Sequence, residues 1–442
     1  MQNCVQLYFI NFAKILKDPT IKGNVMRIKL PNSYFEEVDN SIRLIWRNTL
    51  YADFEKALLE KAIRRKFRVK PEIHVEDGYL VVNMENEEIE KFIAFFIQSH
   101  LGEFLKSKYT RRKVVYIHEG MEVPLLGYNG FGLIDRGTNL IQIRGSTGCN
   151  VSCIFCSVDE GPYSRTRLLD YVVDIDYLLK WFDEVARFKG KGLEAHLDGQ
   201  GEPLLYPFIV ELVQGLRENP NVSVISMQSN GVLLNDRLVE ELAEAGLDRI
   251  NLSIHSLDPE KAKMLMGMKD YDLNHVLEMA EALVNAGIDV LLAPVVIFGI
   301  NDNEAEAFIE FARKIGAGKR WPALGFQNYV PYKFGRHPTV KFLSFKEFYT
   351  WLRSLEEKTG MRPLVLRPEH FGMHRRRFIP LQFHIGEVVK VKVILPGRIK
   401  GEMLGTARNR LIEIINTNAK VGEEIKVKIV RTRHGIYVGT PV

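Results

Sequence analysis

The chain is poor in cysteine, with four among 442 residues: Cys4, then Cys149, Cys153 and Cys156 within eight consecutive positions, and none afterwards. Three thiols that close together cannot staple distant segments, so a disulfide framework is excluded and a reducing compartment with metal chemistry is implied. Long apolar runs are missing too. The opening MQNCVQLYFINFAKILKDP has no basic leader, its apolar stretch is broken by Gln, Asn and Lys, and nothing approaches the roughly 18 apolar residues of a membrane span. A soluble, cytoplasmic protein with no membrane partner is expected.

Neither sign of charge dominates, and the formal net charge is +5. Its distribution is uneven: residues 383–442 carry eleven Lys and Arg against five Glu, so the basicity belongs to the C-terminal region. With 46% hydrophobic and 26% charged residues, the composition is that of an ordinary globular protein of two or three domains.

Three regions follow from pattern. Residues 1–137 mix β-like runs (VMRIKL, YLVVNM, KVVYIH) with amphipathic helical ones (FEKALLEKAIRRKFRV, EIEKFIAFFIQSHLGEFLK), an α+β domain without a motif. Residues 138–380 alternate apolar β-rich runs (NLIQIR, LEAHLD, VSVISMQ, DRINLSI, IDVLLAPVVIF, ALGFQNYV) with helices expected over 170–189, 207–218, 235–245, 272–286 and 302–315. Six such repeats imply an α/β fold with a parallel sheet covered by helices, either a barrel or an open doubly wound sheet, and periodicity leaves both open. In either case a ligand site lies at the carboxyl ends of the strands. The three clustered cysteines follow the first strand directly, and later strands lead into GQGEP (Gly199–Pro203), QSNG (Gln228–Gly231) and SIHS (Ser253–Ser256).

Structural zinc takes four ligands, usually from two separated pairs. Here Cys4 is remote and His255 is the one candidate to complete such a site. Thiolates also suit an iron–sulfur cluster, and three cysteines would leave one iron open.

The run CNVSCIFC, with Phe155 as the aromatic before its last cysteine, resembles the CxxxCxxC signature of the radical S-adenosylmethionine (SAM) superfamily, and GQGEP resembles its second motif, GGEP or GxGEP. The resemblance implies a partial (β/α)6 barrel in which Cys149, Cys153 and Cys156 hold a 4Fe–4S cluster and SAM chelates the open iron. It implies cofactor-binding roles for Phe155, Gly199, Gly201, Glu202, Ser229, Ser253 and His255. The glycines would admit the methionine end of SAM, Glu202 would attract its ammonium group, and the two serines would lie near its carboxylate or ribose, with His255 beside them. Gln327 and Asn328 are candidates to reach adenine or substrate. An electron donor is an implied partner, and no catalytic residue toward the substrate is assigned.

Residues 383–442 alternate throughout, with turns at Pro396-Gly397, Gly405, Gly422 and Gly435, as in a small barrel of about five strands. They are similar to the TRAM domain, an OB-like RNA-binding module appended to several RNA-modifying enzymes. That resemblance makes RNA, tRNA first, the expected partner and DNA not expected. Its candidate phosphate contacts are Lys390, Lys392, Arg398, Lys400, Arg408, Arg410, Lys426, Lys428, Arg431 and Arg433. The family's methylthiotransferases carry a second cluster on three N-terminal cysteines, its cysteine-dependent RNA methylases need a C-terminal cysteine, and no corrin-binding signature is present. The expectation is therefore a single-cluster, archaeal-type radical SAM and TRAM oxidoreductase that modifies tRNA. The alternatives are a radical SAM enzyme with a protein or small-molecule substrate, and a non-catalytic RNA-binding protein with a structural metal.

Overall fold

The computed structural model describes residues 25–340 and 342–442; Cys4 and the first apolar run lie outside the described residues. The chain divides into two compact units: the residues up to Glu122 together with Leu169–Val172, and Val123–Leu168 together with Val173–Val442. Among the described residues no helix is long and apolar enough to cross a membrane.

The first unit is α+β, as its mixed pattern implies. Strands Ser33–Val38, Ser41–Trp46 and Leu50–Glu55 form antiparallel hairpins within a six-stranded sheet. Helices Lys56–Phe67 and Glu87–Phe104 bury Leu59 and Ile63, and Ile89, Ile93, Ile97 and Leu101, at the four-residue spacing of one helical face. The boundary expected near residue 137 falls at 122 instead, because Gly132–Asp135 pairs antiparallel with Leu140–Arg144 and so belongs with the repeats. The helix expected over 170–189 also starts later. Leu169–Val173 is a fully buried strand of the first unit's sheet, where Arg112 and Thr110 satisfy the Asp170 carboxylate, and the helix opens at Ile175 behind an Asp174 cap.

The second unit contains β1 (Gly132–Asp135), β2 (Leu140–Arg144), α1 (Ile175–Lys189), β3 (Leu193–Leu197), α2 (Ile209–Glu218), β4 (Val222–Ser229), α3 (Asp236–Ala245), β5 (Arg249–Leu252), α4 (Pro259–Met266), α5 (Leu273–Asn285), β6 (Asp289–Leu292), β7 (Val295–Val296), α6 (Ala305–Ile315), β8 (Gln327–Asn328) and α7 (Phe345–Thr359). Strands β2 to β6 run parallel in chain order, with β1 antiparallel on the outer edge. Caps set the helix starts: Asn235, Asp258 and Asp272 each accept the amide three residues on. The expected fifth strand is broken into β6 and β7. Pro294 sits between them without an N–H to donate, and the curve continues through the Leu292–Leu324 bridge and the short β7–β8 ladder. The result is a partial parallel barrel whose β-to-α loops gather at one end.

The C-terminal strands β9 (Val388–Pro396), β10 (Glu402–Ala407), β11 (Arg410–Ile415), β12 (Glu424–Arg431) and β13 (Val438–Pro441) close into a barrel in the order β9-β10-β11-β13-β12. Its core is Val389, Val391, Val393, Ile412, Ile414, Val427 and Ile429, with Phe383 edge-on to Tyr437. This barrel is built into the second unit. Leu411 and Tyr437 donate their amides to Leu126 and Gly127 carbonyls, and a Cβ at Gly127 would sit 2.2 Å from the Leu411 oxygen.

Two carboxyls, Glu402 and Glu413, are sunk into this barrel. Burial, then the charge of Glu402, pushes the Glu413 carboxyl from its ordinary 4.5 up to about 7. Because the folded-state value is raised, the stabilisation from protonated Glu413 is complete below about 4.5 and is lost as pH rises through about 7. Melting curves of the unaltered protein and of Glu413→Gln should therefore diverge across that window. The unaltered chain should lose on the order of 1–2 kcal/mol more than the variant.

Candidate functional site

The loop carrying Cys149, Cys153 and Cys156 is held on three sides. The amides of Ser152 and Ile154 donate to the carbonyls of Met266 and Leu265, which lack intrahelical partners at the end of α4. Gly267 ends that helix at φ +63°, and a Cβ there would lie 2.1 Å from the Ser152 oxygen. On the second side Arg336 donates its amide to Cys156 O (2.8 Å) and its guanidinium to Cys153 O (3.0 Å), and pairs with Asp159 at 2.9 Å. On the third, Arg398 meets the Glu160 carboxylate at 2.6 Å, and neither side chain is accessible beyond 2%. Arg167 reaches the same carboxylate at 3.2 Å. Arg336 and Arg167 belong to no motif, and sequence reasoning did not find them.

The donor set suits a bound cationic group. Burial, then the charge of Cys156, pushes the Cys153 thiol up to about 12, against which Arg336 acts; burial, then Cys153, raises Cys149 well above its ordinary value. Metal charge reverses that balance. The Glu160 amide donates to Cys156 Sγ (3.4 Å) and the Asn230 amide group to Cys149 Sγ (3.8 Å), interactions that favour thiolates. Among the described residues no three His, Cys, Asp or Glu side chains converge on one ion. A cubane, by contrast, spreads its thiolates over separate irons.

GQGEP lies directly against this loop. Gly148 and Gly201 form a parallel bridge, Glu202 N donates to Gly148 O (2.8 Å), and a Cβ on Gly201 would come within 1.8 Å of that oxygen. At Gly199 a Cβ would meet nothing nearer than 3.5 Å, so only a ligand would demand glycine there. Glu202, 4% exposed, accepts from Leu204 N (3.0 Å), Ser229 Oγ (2.8 Å) and Asn230 N (2.8 Å), and burial pushes it up to about 7. It braces GQGEP to QSNG with most of its hydrogen-bonding capacity. Ser229 is used in that brace and in accepting Gly231 N, whereas Ser253 Oγ accepts from Gln228 and keeps its proton to donate. His255 Nδ1 accepts Val295 N (3.0 Å), and burial lowers the ring to about 3. The neutral ring then carries its proton on Nε2 and has no free lone pair for a metal, so it does not complete a zinc site. Phe155 stands edge-on to it at 4.7 Å. Beside Asn230 of QSNG, two polar side chains that the motifs do not single out converge here: Asn230 donates to Asn150 Oδ1 (2.7 Å), and buried Asn150 Nδ2 and Ser146 Oγ have no hydrogen-bond partner among the described residues. Gln327 donates to Ala293 O and Asn328 to Leu343 O, at the end of β8.

The radical SAM superfamily model matches residues 143–312, the interval that contains the cysteines, GQGEP, QSNG and SIHS. A protein of Pyrococcus abyssi named probable GTP 3′,8-cyclase is 34% identical over 266 residues, which cover 59% of this chain and 78% of that one. The chain belongs to the radical SAM superfamily. An uncharacterized protein of Methanocaldococcus jannaschii is 43% identical over 392 residues, 83% of this chain and 90% of the other. The crystal structure of Streptococcus suis SuiB bound to S-adenosylmethionine superposes with a TM-score of 0.41 at 14% identity, covering 76% of this chain and 71% of that one, too distant to specify chemistry.

Radical SAM enzymes use a 4Fe–4S cluster and SAM, and they need an electron donor. When bound, the pair supplies one-electron cleavage of the sulfonium bond and a carbon radical that takes hydrogen from an unreactive carbon. Here Cys149, Cys153 and Cys156 would hold the cluster. The unpartnered Ser146 and Asn150 atoms and the Ser253 hydroxyl would be available to polar groups of SAM, and Gly199 would leave room beside them.

The ten basic barrel residues divide. Arg398 is fully buried in its pair with Glu160 and faces no solvent. Arg408 donates to Gln382 O and Glu387, and Arg410, partly buried, to Asn409 O. Burial removes Arg398 from the expected phosphate contacts, a correction to its role, while Arg408 is half exposed and Arg410 partly buried. Lys390, Lys392, Lys400, Lys426, Lys428, Arg431 and Arg433 are exposed.

Proposed function

We propose that this radical SAM enzyme modifies RNA, tRNA first, and that the closed C-terminal barrel is a TRAM-like RNA-binding module. The observation that carries the reading is the outer face of β9 and β12. Lys390 stands directly opposite Lys426 there, flanked by the Val388–Lys428 and Lys392–Glu424 pairs. Like charges facing across a ladder are destabilising, and one Glu424–Lys390 ion pair at 2.5 Å offsets only part of the excess. A phosphate backbone would supply the missing anions.

Replacing Lys390, Lys392, Lys426 and Lys428 by alanine should weaken RNA binding and flatten its salt dependence. The slope of log K against log salt should fall by about 0.7–0.9 for each phosphate no longer neutralised. Modified nucleosides compared in tRNA from strains with and without the gene would identify the product. A free nucleotide is the second reading, favoured by relatives named GTP 3′,8-cyclase, such as that of Chlorobaculum tepidum at 32% identity. Consumption of GTP by the reduced enzyme, with an unchanged tRNA nucleoside profile, would establish it instead.

A further inference from the structure

A cleft of about 650 Å³ opens beside the cluster loop. Ser152 and Ile154, which flank Cys153, line it together with Tyr163, Arg165, Lys333, Phe334 and neighbouring residues of the same loops. The loops that build it follow β2 and β8, with Gly267 at the end of α4, so it lies at the carboxyl ends of the strands.

Two large rings are presented there to solvent. Tyr163 is 65% and Phe334 62% exposed, although each sits on backbone tied to the cluster loop. Tyr163 N donates to Ser152 Oγ (3.1 Å); Arg336, two residues after Phe334, donates its amide to Cys156 O, and a Cβ on Gly335 would lie 2.7 Å from that same oxygen. The rings are thus anchored but uncovered, and apolar surface in that state marks a binding site.

The charge around them has one sign. Arg165 and Lys333 form no ion pair among the described residues, and Lys333 Nζ stands 5.2 Å from the centre of the Phe334 ring. The cleft's one carboxylate, Asp159, is consumed: it accepts from Ser164, Arg165 and Thr166 and pairs with Arg336. Further along, Tyr332 and Phe345 are also more than half exposed, so exposed rings neighbour cations at Tyr332-Lys333-Phe334 and Phe345-Lys346. Exposed ring faces interleaved with unpaired cations fit bases that stack and phosphates that pair. A duplex offers no free base faces to such rings, whereas an unpaired stretch does.

We propose that this cleft stacks unpaired bases next to the target nucleotide, so that the enzyme takes its RNA at a single-stranded loop. The proposal rests on the RNA reading above and names the class of RNA.

The test uses the full-length protein, prepared anaerobically, with a labelled single-stranded RNA of mixed sequence and the same strand annealed to its complement. The unaltered protein should prefer the single strand. The double variant Tyr163→Ala with Phe334→Ala should lose at least ~10-fold in single-strand affinity, since each stacked base contributes about 1–3 kcal/mol. Tyr163→Phe with Phe334→Tyr keeps the rings and should bind as the unaltered chain does. Lys390→Ala with Lys426→Ala should weaken strand and duplex alike. If the alanine double variant binds the strand as tightly as the unaltered protein while the lysine variant does not, the cleft assignment falls and the RNA reading stands. If the unaltered protein binds neither RNA, both fall. Unchanged RNA affinity with slower reduction by an acidic electron-transfer protein would make the cleft the donor's docking face and overturn the proposal, as would displacement of the strand by equimolar GTP.

Discussion

Cys153→Ala protein, reconstituted anaerobically with iron and sulfide, should hold almost no iron where the unaltered chain holds about four per molecule, and should lose the broad thiolate-to-iron absorption. The expectation follows from the count as well as the family. Three thiolates already leave one corner open, and two leave a cluster without the anchorage needed to stay bound. The substitution is also a small one for the fold. Cys153 Sγ packs 3.8 Å from Met266 Sδ, while the loop itself is held by the backbone bonds of Ser152, Ile154 and Arg336. Loss of iron with an unchanged melting temperature would therefore be loss of a ligand. Recovery of stoichiometric zinc and no iron from the unaltered protein under the same conditions would overturn the cluster assignment.

Arg398→Ala should destabilise the protein by about 3 kcal/mol, because it takes from the buried Glu160 carboxylate its 2.6 Å ion pair and leaves the longer pairing with Arg167. Arg398→Lys should recover part of the loss, since a point charge replaces a planar fork. Lys390→Ala, on the exposed face of the same barrel, should leave stability within about 0.5 kcal/mol. Iron retention gives an independent readout. Glu160 sits four residues beyond Cys156 and donates its amide to that sulfur, so the alanine variant should release iron faster under a chelator. Removing residues 383–442 should have the same effect in stronger form, and would not yield a core that still cleaves SAM. An Arg398→Ala protein that melts and keeps iron as the unaltered chain does would show the clamp to be dispensable.

What could be read in advance follows a physical rule. Period-two alternation identified the exposed barrel lysines, because Lys390, Lys392, Lys426 and Lys428 alternate with Val389, Val391, Val427 and Ile429 of the core. Arg398, Arg408 and Arg410 lie in or beside turns, where no period tells an inward side chain from an outward one, and of the three Arg398 is the one that turns fully inward. The cluster cysteines and GQGEP were legible because their chemistry requires fixed spacing. Arg336 was not, since its partners at Cys153 and Glu160 are remote in sequence and any cation at that end of β8 would have read the same. The break at Pro294 was visible in the residues, yet the apolar run around it outweighed the missing donor. At Leu169–Val173 the helical pattern that follows was extended backward over residues that form a strand of the other unit.

The Glu160–Arg398 clamp also sets an order of events during synthesis. The three cysteines and Glu160 leave the ribosome together, but Arg398 is made tens of seconds later at ~5–20 residues per second. For that interval the loop's acid has no barrel residue to meet, and the thiols lie in a segment that lacks one of its three supports. A chain interrupted before the barrel would carry the three cysteines but hold their loop by two supports instead of three. A chain stopped short of residue 398 should therefore release iron to a chelator faster than one that reaches it.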